Sequence, residues 1–139
     1  MDNKIRVVFF QVKDTSSKLS KICQTSMAHF EKKEPFLILA PNQAAIEFVD
    51  ALLWRMPEES FLPHIVSESP CSDLLVLSTA MVNLNRAAQV FNLFQDPIFL
   101  EPSIKTIYEF EDLTSIDKKQ LSQQKYLAYR QAGYLISSH

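Results

Sequence analysis

Between residues 36 and 64 the chain reads FLILAPNQAAIEFVDALLWRMPEESFLPH, and its architecture can be built outward from there. Residues 36–40 are an unbroken apolar run between Pro35 and Pro41. A short run bounded by breakers suits a strand buried on both faces. Asn42 stands where a helix N-cap belongs, because its side-chain oxygen can accept from an orphaned backbone N–H. In the helix that follows, Ala45, Phe48, Val49, Leu52 and Leu53 fall at i, i+3, i+4, i+7 and i+8, so they share one face. Arg55 suits the negative end of the helix dipole, and Pro57 stops the helix. A buried strand feeding an amphipathic helix is half of an α/β unit.

The flanking segments supply the rest. Residues 5–12, IRVVFFQV, read as the first strand. Residues 18–31 follow as a helix, with Leu19, Ile22, Cys23, Ser26, Met27 and Phe30 on one side. Strand, helix, strand implies a right-handed crossover with the first two strands parallel. Beyond His64 the sequence predicts strands at 65–66, 74–78 and 81–84, and a helix over 86–94 with Ala87, Val90, Phe91 and Phe94 on one face. A loop with Pro97 and Pro102 follows, then a strand over 104–111 that is polar on one side. A last helix runs over 116–132, with Gly133 at its left-handed C′ position. The pattern predicts one domain over residues 1–139, a Rossmann-like three-layer α/β sandwich. Its central sheet is mostly parallel, with helices on both faces.

Composition excludes several functions. At 139 residues the chain can bury a core without disulfides or metal. Two cysteines make no disulfide framework, and Cys23 on an apolar face reads as a small buried hydrophobe. The start has no secretory layout and no apolar run is long enough for a membrane span, so a cytoplasmic protein is expected. A net charge of −2 argues against gripping DNA or RNA directly, since that affinity comes largely from phosphate neutralisation. There is a single glycine, Gly133. Nucleotide sites need glycines where a strand turns into a helix, so that backbone N–H groups can reach phosphate; neither turn in the first half has one.

No catalytic set emerges either. His29, His64 and His139 have no partners at metal-ligand spacing, so neither a metal nor another cofactor is expected. His64 reads as a loop residue, Glu58 and Glu59 as a solvated turn. Asp14 follows the first strand, where α/β enzymes often keep an acid, but an ordinary turn explains it equally well. Two features are less ordinary. Trp54 and Phe61 flank a proline turn and form either a piece of core or an exposed anchor, since aromatics dominate interface hot spots. In the last helix and just past its end, Tyr126, Tyr129 and Tyr134 alternate with Lys119, Lys125 and Arg130. This is either a plain amphipathic helix or a groove for an acidic peptide with an aromatic end.

The segments WRMPEESFLPH (54–64) and QKYLAYRQAGYLI (124–136) together resemble the chi subunit of bacterial DNA polymerase III. The first shares the tryptophan, the proline, the acidic-serine pair and the F-x-P-H ending; the second shares the tyrosine, the alanine-tyrosine-arginine and the alanine-glycine-aromatic ending. Order and spacing match over most of the chain, least so over 67–115. The resemblance implies a non-enzymatic accessory subunit that pairs with the psi subunit, and so with the clamp loader. It also implies binding of the acidic, phenylalanine-ended C-terminal tail of single-stranded DNA-binding protein. Trp54 and Phe61 match the psi-binding aromatics, and Lys119 and Tyr126 match positions of the tail site. Gln123 and Leu127 stand where the family often places cations, which implies weaker tail binding. Arg130 matches a recurrent arginine, and Lys119, Lys125 and Arg130 are the cations nearest to the tail's carboxylates.

Two other readings stay open on the residues alone. One is a small cytoplasmic α/β enzyme with a cleft at the carboxyl ends of the strands, using Asp14, Asn42 and Thr79. The other is an unrelated protein-interaction module.

Overall fold

The structure, a computed structural model, describes residues 4–55, 62–100 and 103–139. The elements are β1 (Arg6–Val12), α1 (Thr15–Glu31), β2 (Phe36–Leu39), α2 (Gln43–Arg55), β3 (Ile65–Val66), β4 (Leu75–Ser78), β5 (Gln89–Asn92), β6 (Thr106–Asp112), α3 (Ile116–Gln131) and β7 (Leu135–Ser138). Among the described residues the strands form a seven-stranded sheet in the order β3-β4-β2-β5-β6-β1-β7. Every pairing in it is parallel.

Strand alternation sorts the core onto two faces. Phe36, Ile38, Leu75, Leu77 and Phe91 pack with Ile22 and Cys23 of α1 and Ile46, Val49, Leu52 and Leu53 of α2. Val7, Phe9, Leu37, Leu39, Val76, Val90 and Ile107 face the other way, under Tyr129 of α3 and the loop residues Leu84, Ala87, Ile98 and Ile104. The result is the expected three-layer α/β sandwich, with α1 and α2 on one side and α3 on the other.

Local chemistry sets the element ends. The Asp14 carboxylate accepts from Ser17 N–H at 2.7 Å and caps α1. Asn42 accepts from Ala45 N–H at 2.9 Å and caps α2. Ser115 caps α3 through Lys118 N–H. Gly133 has φ +84° with no atom within 4 Å of where a Cβ would stand, so backbone conformation and not crowding calls for glycine there.

Three expectations need correction. Phe48 is 51% exposed, and Ile46 takes its place in the core, so the buried stripe of α2 is turned by one position. Residues 81–84 are irregular, not a strand. The helix expected over 86–94 is β5 and its approach. Val90 and its neighbour Phe91 are buried on opposite faces of the sheet, which a helix cannot arrange. The approach is a loop closed by two hydrogen bonds between the Asn83 amide and the backbone of Ala87, with Arg86 at φ 54°. The strand expected over 104–111 is β6, and on its polar side Glu109 is closed to solvent beside Ile107. Beyond Gly133, where the sequence pattern predicts no element, Leu135–Ser138 form β7.

Candidate protein-interaction site

On α3 the residues Lys119, Gln123, Tyr126 and Leu127 fall at i, i+4, i+7 and i+8, one helical face. They line a cavity of about 400 Å³, whose remaining walls are Phe9 of β1, Glu111 of β6 and Ser122. Phe9 and Tyr126 meet with ring centroids 6.2 Å apart. Tyr126 and Leu127 are 40% and 54% exposed, so the apolar part of the site faces solvent. Four of the expected tail-site residues therefore come together. Arg130 does not; it is exposed one turn on and does not line the cavity.

Lys125 is a further correction. It was a candidate cation for the site, but it points to the sheet, 8% exposed, and its ammonium lies 2.7 Å from Glu109. Ser122, Lys125 and Tyr129 form the buried face of α3. Glu109 accepts from Lys125, from the Tyr129 hydroxyl at 2.6 Å and from the Asn92 amide at 2.7 Å. Tyr129 in turn accepts from Ile98 N–H at 2.9 Å, and Lys125 also donates to the Phe94 carbonyl. Burial pushes the Glu109 carboxyl above its usual range, more than the Lys125 charge and the three donors pull it back. Burial and the Glu109 anion raise the Tyr129 phenol as well, so that group stays a neutral donor. This network ties α3 and residues 92–98 to β6 and so holds the outward face of α3 in place.

The signal for this inward turn was present. Glu109 alternates with Ile107 on the strand, and Lys125 and Tyr129 are spaced i, i+4 on the helix. What the sequence could not supply was the pairing of β1 with β6, which sets Phe9 beside Glu109 and Gln11 beside Glu111.

At the second expected surface, Trp54 is 45% exposed at the end of α2. Its ring lies 4.3 Å, centroid to centroid, from that of His64. His64 Nε2 is 2.7 Å from Asp50 Oδ1, and Nδ1 faces the Leu62 carbonyl. His64 is thus held from both ring nitrogens and packs beside the indole. Phe61, the other half of the expected pair, lies outside the described residues.

The polar groups that an enzyme reading would require are occupied. Asp14 and Asn42 cap helices, and Thr79 donates to Glu68 at 2.6 Å. The crevice at the carboxyl ends of the strands is walled mainly by apolar residues, among them Leu19, Phe48, Leu93, Phe94 and Phe110. Lys18 at its edge pairs with Asp112. Among the described residues no three acidic, histidine or cysteine side chains are grouped for a metal, and no helix is long and apolar enough to cross a membrane.

These features define the class structurally, as a parallel three-layer α/β protein whose helices carry exposed aromatic and aliphatic side chains. The DNA polymerase III chi subunit (HolC) family model matches residues 5–137, and the chain belongs to that family. Its members are non-catalytic accessory subunits of DNA polymerase III. The match runs through residues 67–115, where the sequence resemblance is weakest. No curated protein sequence is significantly similar to this chain.

Proposed function

We propose that this chain is a cytoplasmic, single-domain adapter of the replicative polymerase, binding a psi-like clamp-loader component at one surface and the C-terminal tail of single-stranded DNA-binding protein at another. The observation that carries the reading is the cavity under α3. Lys119, Gln123, Tyr126 and Leu127 share it, with Phe9 as its apolar wall. A terminal phenylalanine ring fits against Phe9, Tyr126 and Leu127, and Lys119 is the cation available to a carboxylate. The exposed indole of Trp54 supports the psi-facing surface, since buried aromatic anchors supply much of the energy of protein interfaces. The net charge of −2 favours reaching DNA through partners and not directly.

The test is a pull-down with the purified chain from a lysate of its own organism. The expected result is recovery of single-stranded DNA-binding protein together with a clamp-loader component. Loss of the first when its C-terminal tail is deleted, and of the second with Trp54→Ala, assigns the two surfaces. Recovery of neither partner contradicts the reading.

A further inference from the structure

We infer that Glu111 is a specificity-determining residue of the α3 cavity, one that restrains its affinity for acidic peptides; the inference rests on the tail-binding reading above. Ile107, Glu109 and Glu111 alternate along β6 and face α3. The two carboxylates have different surroundings. Glu109 is buried and answered by Lys125, which therefore has no charge to offer outward. Glu111 is half-buried in the cavity wall. Its Oε1 accepts from the Gln11 amide at 3.3 Å, a neutral donor that leaves the charge in place. Lys119 is the only cation in the same wall, and among the described residues no ion pair joins it to Glu111.

The wall thus carries one cation and one anion around an aromatic and aliphatic centre. A peptide that ends in an apolar side chain gains from Phe9, Tyr126 and Leu127 whatever its charge. Each carboxylate it brings gains from Lys119 and loses to Glu111. The cavity therefore reads the apolar end strongly and the acidic run weakly, a discrimination to which a repulsive group contributes alongside the neutral Gln123.

Two labelled peptides ending in phenylalanine, one with several aspartates and one with asparagines in their place, would be titrated by fluorescence anisotropy against the wild type, Glu111→Gln and Glu111→Lys. Matching thermal melts would establish that all three are folded. Glu111→Gln is expected to tighten the aspartate peptide about threefold to fivefold at low salt, the size of an exposed charge interaction, and the asparagine peptide by much less. Glu111→Lys is expected to go further, and both gains should shrink at high salt. Equal shifts for the two peptides, or none, with the wild type still binding, would overturn the role of Glu111 while leaving the site standing. Failure of all three forms to bind the aspartate peptide would remove the tail-binding reading and this inference with it.

Discussion

The ammonium of Lys125 lies 2.7 Å from a carboxylate oxygen of Glu109, whose side chain is wholly closed to solvent. A buried ion pair gains little over an apolar pair of the same shape, but breaking it leaves an uncompensated charge. Lys125→Met should therefore cost about 3–5 kcal/mol of unfolding free energy, read from urea melts. The double variant Lys125→Met with Glu109→Leu should recover much of that loss. A single variant as stable as the wild type would mean that the pair contributes nothing.

The carboxylates make opposite demands on pH. Bonds from Ser17 hold Asp14 below its usual 3.8, and those from Thr79 hold Glu68 below 4.5. Burial pushes Asp112 up, but Lys18 and Thr114 outweigh it and leave it lowered. A lowered folded value means that the stabilisation is present above the unfolded value and lost as pH falls through the folded one. Glu109 is raised, so its share has the reverse sign and declines as pH rises from the unfolded value to the folded one. Melting temperature should therefore drop as pH falls below about 4, and Asp112→Asn should make the drop shallower. An identical acid limb in the variant would show that the Lys18–Asp112 pair is not part of it.

Gly133 sits at φ +84° with open space around it. Gly133→Ala should cost about 1–2 kcal/mol through the left-handed backbone alone, without disturbing Tyr129 or β7. Urea denaturation with an unchanged slope would fit this; a neutral substitution would mean that the turn relaxes.

Trp54 lies beside His64 with the two rings tilted by 38°, and it belongs to neither core cluster of the described residues. Trp54→Ala should weaken a psi-like partner by about 2 kcal/mol or more if the indole is an anchor, while the melting temperature barely moves. Calorimetric titration reads the first and a thermal melt the second. A variant that unfolds at room temperature, with binding intact in the folded remainder, would place Trp54 in the core instead.

What the sequence made legible followed from local rules. The Phe36 strand, the Asn42 cap and the Gly133 terminus each depend on a few neighbouring residues. The 86–94 segment misled because Ala87, Val90, Phe91 and Phe94 fit a helical period, while the fold places Val90 and Phe91 on opposite faces of a central strand. Nothing local separates those cases; the sheet decides. Lys125 misled in a similar way. A lysine on a helix reads as solvated until Glu109, from a strand 16 residues away, needs an answering charge. The cavity under α3 was half legible, since its helix face has a period, whereas Phe9 and Glu111 reach it only through the pairing of β1 with β6.

The central claim is that α3 presents a peptide site, and a titration of the wild type, Tyr126→Ala and Gln123→Arg with a fluorescent tail peptide at two salt concentrations tests it most directly. Tyr126→Ala should weaken binding severalfold or more. Gln123→Arg should tighten it about tenfold, since a hydrogen bond to a charged group contributes roughly 1.5–3 kcal/mol and about 1.4 kcal/mol is tenfold. That gain should fade at high salt. No binding by any form, or binding indifferent to Tyr126→Ala, would contradict the account.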